Sequence, residues 1–407
     1  MALTRSSLVR SSLLRHLGLF KKWALPRQRG FDEQYGYYLG ATDYWTHSRS
    51  SVGSAEGLDW HRNESRAATE DDGIYSAGLL AAAAVDFVLR NAQRPWFLYL
   101  PWQSVHSPLE APQECKDRYP TLSGSQQTRA AMVSAMDDGV GNLSAALVSS
   151  GQHERTLMVF TSDNGAPFES AMWEGDEADE AYAAAAAYTG ASRPPTGKGS
   201  PPHGGGGGSN APLSGWKHWV YEGGVRSAAF VWYAPLNLKM GGSTHGGLFH
   251  ATDWLPTLVR LAGGSTHANL PLDGWDIWGA LEEGGSSSPR TEIPVNIAAC
   301  GPDANGTRSI ITGPQAAVIV GQLKLLVPCF WRSERSLTGA KLYNLSADLA
   351  EEHDLAGAMP DAVKKLGARL AYWEAQSVPP YALSGIDTSC GEGKPLGSSP
   401  PAWNPWC

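Results

Sequence analysis

Cysteine is scarce in this sequence, and its spacing excludes the commonest zinc sites. Only five of the 407 residues are cysteines, and no two of them form a C-x-x-C pair. A zinc site built on cysteine pairs is therefore not expected. Four of the five lie after residue 299, a distribution that indicates disulfides in the C-terminal region of a secretory-pathway protein, with the odd cysteine free.

Long apolar runs and an excess of basic residues are lacking as well. No stretch approaches the ~20 apolar residues that a membrane-spanning helix needs. The net charge of −8 argues against nucleic acid as the partner. The N-terminal stretch before Asp32 is basic, but it has no uninterrupted apolar segment of the kind that signal peptides carry.

Four Asn-x-Ser/Thr sequons point instead towards the secretory pathway. They lie at Asn63, Asn142, Asn305 and Asn344, and each is a potential acceptor of an N-linked glycan. They predict a glycoprotein of the lysosome or the extracellular space. A secretory protein without a signal peptide is a contradiction, which a missing N-terminal segment would resolve.

The overall composition is that of a globular protein. Hydrophobic residues make up 42% of the chain and charged residues 18%, and the length suits one large domain with a smaller one. The 16 tryptophans and 14 tyrosines could line a carbohydrate site or fill a core. We expect most of them to fill the core.

Helices and strands alternate along the first part of the chain. Residues 75–93 and 127–151 are predicted helices, and each is followed by an apolar strand, at 96–100 and 156–160. A further strand is predicted at 227–233. This alternation predicts βαβ units and a mainly parallel sheet. Residues 174–212 break the pattern with an Ala-rich, Pro/Ser-rich and Gly-rich segment, which reads as a flexible surface insertion.

The remainder of the chain predicts a separate, mixed unit. An amphipathic helix is expected at 250–264, and a linker follows near residue 285. The stretch AAVIVGQLKLLVP alternates around a turn and predicts an antiparallel hairpin, and a helix is expected at 361–376. We therefore predict a small C-terminal α+β subdomain.

The strand TLMVF ends in Asp163-Asn164-Gly165, which has two interpretations. Asn-Gly is common in turns, so the stretch alone favours a simple loop. Ligands, however, gather at the carboxyl ends of strands in open α/β sheets, and carboxylate and amide oxygens suit a hard cation such as Ca²⁺ or Mg²⁺. The stretch by itself leaves both interpretations open.

Several motifs occur together in one order along the chain. They are RHLGLFKKW, PWFLYLPWQSVHSPLEAP, VFTSDNGAP, LSGWKHWVYEGGVR, ATDWLPTLVRLAGG and LYNLSADLAEEHDL. In this order they resemble the sulfatase family, and within it the N-acetylgalactosamine-4-sulfatase (arylsulfatase B) branch. The resemblance covers the chain from about residue 15 to its end, apart from the insertion.

The resemblance implies an α/β, alkaline-phosphatase-like fold. A large mixed, mainly parallel sheet would lie between helices in a catalytic domain at residues 15–285, and an α+β subdomain would occupy residues 290–407. Sulfatases convert a cysteine to formylglycine, whose hydrate attacks the sulfur of a sulfate ester beside a bound Ca²⁺. The implied substrate is a sulfated carbohydrate or an aryl sulfate.

Five residues fall on functional positions of the family. The resemblance implies that Asp163 and Asn164 are Ca²⁺ ligands, which now favours the metal interpretation of that loop. It implies that His106 contacts the sulfate and serves the leaving oxygen, that Lys217 pairs with the sulfate, and that His16 hydrogen-bonds the formylglycine. His47 is expected in an exposed loop and is left out of this set.

The sequence departs from the family at one end. The nucleophile motif C-x-P-S-R and the N-terminal Asp-Asp pair do not occur, and a family lysine position holds Leu14. Losses confined to one end indicate a truncated chain rather than a degenerate enzyme. We expect the 407 residues alone to be insoluble or inactive towards sulfate esters.

These residues suggest three candidate functions. The first is a Ca²⁺-dependent sulfatase of sulfated glycans, and the second is a non-catalytic glycan-binding protein that keeps the fold. The third is a phosphate-ester hydrolase of the wider superfamily. The third ranks last, because such enzymes hold two zinc ions with several His and Asp ligands, and no matching histidine cluster occurs here.

Overall fold

The computed structural model describes residues 9–14, 22–38, 40–49, 57–66, 69–167, 208–217, 219–266, 271–297, 316–328 and 336–377. In these residues the chain forms two compact units, which divide between Thr156 and Leu157. His16, the insertion up to residue 207, and the cysteines other than Cys115 lie outside the described residues. Cys115 is buried and carries a free thiol.

The first unit contains a mixed sheet with helices. Its strands are β1 (Val9–Leu14), β2 (Glu33–Gly36), β3 (Ser48–Arg49), β4 (Gly57–Leu58), β5 (His61–Arg62), β6 (Ser65–Arg66) and β7 (Trp96–Tyr99). Its α-helices are α1 (Ser76–Arg90), α2 (Gln113–Lys116) and α3 (Gly124–Ser149). Short 3₁₀ helices lie at Lys22–Ala24, Pro26–Arg29, Thr69–Asp71 and His153–Arg155.

The sheet of the first unit has a parallel centre and an antiparallel edge. Its strand order is β6-β5-β2-β1-β7. β1 runs parallel to β2 and β7, with Ser11 opposite Glu33 and Val9 opposite Trp96. β5 and β6 add antiparallel pairs at one edge. Parallel pairing is thus present at the centre of this sheet, around β1, whereas the strands predicted at 156–160 and 227–233 lie outside it.

The core of the first unit is rich in aromatic side chains. Tyr35, Tyr37 and Trp60 are buried together with Leu80 and Ala84, the last two from the inner face of α1. The Trp60 indole N–H donates to the Tyr35 hydroxyl at 3.0 Å, which satisfies both polar groups inside the core. The prediction that aromatic residues mainly fill the core is borne out here.

The second unit begins with β8. Its strands are β8 (Met158–Thr161), β9 (Ala229–Trp232), β10 (Glu292–Asn296), β11 (Ala316–Val320), β12 (Leu323–Val327) and β13 (Lys341–Asn344). Its α-helices are α4 (Glu222–Val225), α5 (Ala234–Met240), α6 (Trp254–Leu261), α7 (Trp278–Glu283) and α8 (Pro360–Gln376), and a 3₁₀ helix lies at Ala251–Asp253.

Two sheets occur in the described residues of the second unit. β8 pairs antiparallel with β9, from Met158 opposite Trp232 to Thr161 opposite Ala229. The other sheet is antiparallel, in the order β10-β11-β12-β13. Gly321, with a φ of 59°, makes the tight turn between β11 and β12, and α8 covers this sheet with Leu366 and Leu370. The predicted hairpin and C-terminal helix are confirmed.

One predicted position is wrong. His47 was expected in an exposed loop, but its side chain is buried, and its ring stacks on Trp60 with centroids 4.4 Å apart. The loop turns inward because the Asp43 carboxylate accepts backbone N–H bonds from Trp45 and Thr46. The Asp59 N–H then donates to the His47 carbonyl at 2.8 Å and holds the histidine inside.

Candidate functional site

The segment after β8, residues 162–167, is called the DNG loop. Asp163 is exposed and Asn164 is half-buried. The Asn164 backbone N–H donates to Oδ1 of Asp163 at 3.0 Å, and the Asn164 side-chain nitrogen donates to the Gly165 carbonyl at 2.9 Å. Because the amide nitrogen is engaged as a donor, Oδ1 is the atom of Asn164 that can serve as a ligand.

The segment that carries Lys217, residues 210–217, is called the lysine loop, and it adjoins the DNG loop. The Lys217 backbone N–H donates to the Ala166 carbonyl at 3.0 Å. Asn210 joins the two loops a second time, since its side chain accepts from the Ala166 N–H at 2.8 Å and donates to the carbonyls of Ala166 and Gly215. Asp163, Asn164 and Lys217 are therefore placed on neighbouring, hydrogen-bonded loops.

The short helix α4 packs its backbone against both loops. The Gly165 N–H donates to the Gly224 carbonyl at 3.0 Å, and the Gly223 N–H donates to the Ser214 carbonyl at 2.7 Å. A Cβ atom on Gly223 would lie 2.5 Å from the Ser214 oxygen, and one on Gly165 would overlap the Gly223 carbonyl. The glycines of the EGG sequence are required here because three backbone segments meet without room for side chains.

His106 lies in the first unit, on the loop between β7 and α2. It is half-buried, and its carbonyl accepts a 2.9 Å hydrogen bond from the Tyr44 hydroxyl. Nδ1 of its ring lies 2.9 Å from the Ser107 carbonyl. A carbonyl only accepts, so this contact places a proton on Nδ1 and assigns any proton transfer to Nε2.

The supporting structure of the His106 loop comes from α3. A Cβ atom on Gly139 would lie 2.6 Å from Cη2 of Trp102, so glycine leaves the space that this indole occupies. Trp102 packs on the core of the first unit, and Gln103 accepts the backbone N–H of His106 at 3.0 Å through its carbonyl. Packing of the tryptophan thereby fixes the start of the loop.

The predicted site residues are thus distributed unevenly. Asp163, Asn164 and Lys217 share one loop cluster of the second unit, whereas His106 belongs to the first unit. His16 lies outside the described residues. The assignment of these five residues to catalysis and metal binding stays a prediction.

The donors of the DNG loop fit a hard cation in type but make an incomplete site. Asp163 offers a carboxylate and Asn164 an amide oxygen, which are ligands that Ca²⁺ prefers. Within the described ranges, no group of three or more His, Cys, Asp or Glu side chains is placed to hold a metal ion. Ca²⁺ takes six to eight oxygen ligands, so these two residues would form only one side of its coordination shell.

Two contributors to this cluster were not predicted as site residues. Asn210 bridges the two loops, although it lies within residues 174–212, which the sequence predicted to be a flexible surface insertion. Glu222 was quoted within the EGGVR motif without a function, and it is buried. The Glu-Gly-Gly sequence, a carboxylate followed by two glycines, is the signal that could have identified the α4 junction.

Comparison with known proteins identifies the family of this chain. The sulfatase family model matches residues 15–265. The chain belongs to the sulfatase family. The predicted family is thereby confirmed. The C-terminal 142 residues lie outside the match, and they include the antiparallel sheet of β10 to β13.

A curated sulfatase relative aligns with most of the chain. Arylsulfatase J of Mus musculus is 33% identical over 394 residues, which cover 89% of this chain and 59% of that protein. The chain therefore spans about three fifths of the length of this relative. An arylsulfatase-like member of the family is supported, and the narrower arylsulfatase B branch stays a prediction.

Solved structures of similar fold confirm the architecture. Ps i-CgsB in complex with k-i-k-neocarrahexaose matches with a TM-score of 0.67 at 23% identity, covering 92% of this chain and 72% of that chain. A protein solved with its substrate D-glucosamine-2-N,6-O-disulfate matches with a TM-score of 0.58 at 15% identity, covering 91% and 80%. The predicted α/β sulfatase fold is confirmed. In its described parts, this sulfatase-family chain has no helix long and apolar enough to span a bilayer.

Proposed function

We propose that the protein is a sulfuric ester hydrolase that removes sulfate from sulfated sugars. The observation that carries the proposal is the junction of the DNG loop and the lysine loop, where the backbone segments that carry Asp163, Asn164 and Lys217 are hydrogen-bonded to each other. The proposed substrate class follows the relatives, one of which was solved with a disulfated glucosamine as its substrate.

The chain's own residues have separate roles in this proposal. Lys217 pairs with a sulfate oxygen and stabilises the negative charge that develops there. His106, in its imidazolium form with a proton on both ring nitrogens, donates the Nε2 proton to the departing sugar oxygen, so that the sugar leaves as an alcohol. Ca²⁺, when bound by Asp163 and Asn164, would neutralise a second sulfate oxygen. His16 would hydrogen-bond the formylglycine of the family.

A second candidate is a glycan-binding protein without catalysis. It is favoured by one observation, that the motif C-x-P-S-R does not occur in the 407 residues, so none of the five cysteines is assigned as the nucleophile. Both candidates place a sulfated sugar on Lys217. We further propose a secretory-pathway location, supported by the four sequons.

Two measurements separate the candidates. The first is hydrolysis of 4-nitrophenyl sulfate by the protein isolated from its natural source with an antibody against α8. The second is binding of N-acetylgalactosamine 4-sulfate to the 407-residue chain, with and without Ca²⁺. Turnover together with Ca²⁺-dependent binding supports the hydrolase. Binding that survives chelation, without turnover, supports the glycan-binding protein, and neither turnover nor binding contradicts both.

A further inference from the structure

A fully buried lysine lies between two buried carboxylates beneath the site loops. Lys324 of β12 has its Nζ 2.8 Å from Oε1 of Glu222 and 2.9 Å from Oε1 of Glu351. The three side chains are 0%, 3% and 0% exposed. Arg226, which is half-exposed, adds a second cation 3.1 Å from the other Glu222 oxygen. Two cations therefore face two carboxylates inside the second unit.

This cluster is connected to the backbone of α4. Oε2 of Glu351 accepts the Glu222 backbone N–H at 2.6 Å. Glu222 begins α4, so the carboxylates hold both the side chain and the first N–H of the helix. Glu351 adopts a φ of 57°, which is unusual for a residue with a side chain and is held by these contacts.

The same cluster touches the lysine loop at another point. The Ser214 hydroxyl donates to the Ala350 carbonyl at 2.6 Å, next to Glu351 in the chain. Gly223 and Gly224, next to Glu222, hydrogen-bond to Ser214 and Gly165. Lys324 is thus connected to the lysine loop and to the DNG loop through α4 and through Ala350.

We propose that Lys324, together with Glu222 and Glu351, positions the DNG loop and the lysine loop for binding of the cation and the sulfate ester. The contacts described above support the link between this cluster and the two loops. The effect on cation and sulfate binding rests on the proposed function. None of the three side chains touches the substrate in this assignment, so they are positioning residues. The C-terminal sheet, through β12, becomes part of the site's support.

The charges of this cluster depend on one another. Buried charges are retained only when they are paired, and removal of one partner leaves the others uncompensated. Burial raises the pKa of both carboxylates, and attraction by Lys324 lowers it. The result is a pKa of Glu222 below its usual value and a pKa of Glu351 raised to about 7.

The test compares three single variants of the 407-residue chain by hydrogen exchange. Lys324→Met removes the cation, and Glu351→Gln keeps an acceptor for the Glu222 N–H while it removes the charge. The control is Arg290→Met, which breaks a different buried ion pair, with Asp253. Exchange is read at the amides of Gly165 and Lys217, whose hydrogen bonds join the loops to α4 and to each other.

The proposal expects exchange at both amides to accelerate about tenfold or more in Lys324→Met and by a smaller factor in Glu351→Gln. Arg290→Met should lower the global stability without selective loss at these two amides. Equal protection at both amides in the wild type and in both cluster variants would overturn the proposal. If Lys324→Met fails to fold, Glu351→Gln alone decides between these results.

A parallel titration separates this inference from the proposed function. Ca²⁺ and N-acetylgalactosamine 4-sulfate are titrated into the same proteins at a temperature where each is folded. Weaker binding by about tenfold in the cluster variants, but not in Arg290→Met, supports the positioning role. If the wild type binds neither probe, the proposed function is contradicted. Faster exchange of the Gly165 and Lys217 amides in the cluster variants would then still support the positioning role.

Discussion

The Lys217 backbone N–H donates to the Ala166 carbonyl at 3.0 Å, two residues after Asn164. This one bond joins two segments that are separated in sequence by the low-complexity insertion. It places the lysine that is predicted to hold sulfate beside the residues predicted to hold Ca²⁺.

Replacement of Lys217 should weaken sulfate binding with little loss of stability. Lys217→Gln removes the cation from a half-buried side chain, so the free energy of unfolding should change by less than about 1 kcal/mol. Affinity for N-acetylgalactosamine 4-sulfate should fall by about tenfold or more, as measured by isothermal titration. Lys239→Gln, at an exposed position of α5, is the matched control. Equal affinities of the two variants would contradict the role of Lys217.

Replacement of Asp163 should reduce the affinity for Ca²⁺. Asp163→Asn keeps the size of the side chain but removes the negative charge, and Ca²⁺ affinity follows the number of charged ligands. We expect a loss of about tenfold in a Ca²⁺ titration. Asp361→Asn, on the exposed first turn of α8, serves as the control for charge alone. An unchanged Ca²⁺ affinity in Asp163→Asn would place the cation elsewhere.

Addition of one methyl group at Gly223 should disrupt the loop junction. In Gly223→Ala the new Cβ would meet the carbonyls of Ser214 and Gly215, both of which are backbone atoms that cannot move aside cheaply. Overpacking of this kind should lower the free energy of unfolding, measured in urea, by about 1–3 kcal/mol. Gly78→Ala in α1 is the control, because nothing lies within 4 Å of its Cβ position. That variant should instead be stabilised by about 0.5–1 kcal/mol.

Glu351 should make stability fall as the pH rises. Burial, opposed by Lys324, raises the pKa of Glu351 from 4.5 to about 7. The folded protein therefore holds this proton more tightly than the unfolded chain does. The stabilisation of the folded state by this bound proton is complete below about pH 4.5 and is lost as the pH rises through 7.

The Glu351→Gln variant isolates this contribution from other titrating groups. Between pH 4.5 and pH 7.5 the stability of the wild type relative to the variant should fall by on the order of 2–3 kcal/mol. Glu222, Lys324, Tyr221 and Tyr343 face Glu351 and are present in both proteins, so their direct effects largely cancel. A constant difference across this range, in urea unfolding, would show that Glu351 keeps an ordinary pKa.

Local patterns in the sequence were sufficient to predict the longer helices and several of the apolar strands. The helix at 75–93 is α1, the helix at 127–151 is α3, and the strand at 156–160 is β8, each with ends shifted by one to three residues. Periodicity and glycine or proline breaks are local properties, and so they can be read without the fold. The Asp163-Asn164 pair could be singled out for the same reason, since it directly follows an apolar strand.

Long-range pairing could not be predicted. Lys324 stands in an alternating strand, where a lysine is ordinarily an exposed residue, and its partner Glu222 is 102 positions away. His47 was expected in an exposed loop, but the Asx turn at Asp43 folds it onto Trp60. In both cases the tertiary partner, and not the local sequence, decides where the side chain lies.

The central claim is that the junction of the DNG loop and the lysine loop binds a sulfate ester beside a cation. A crystal structure of the chain grown with Ca²⁺ and N-acetylgalactosamine 4-sulfate tests it most directly. We expect the ion on the oxygens of Asp163 and Asn164, and the sulfate group beside Nζ of Lys217. A sugar bound away from Lys217, or a Ca²⁺ ion bound away from the DNG loop, would contradict the claim.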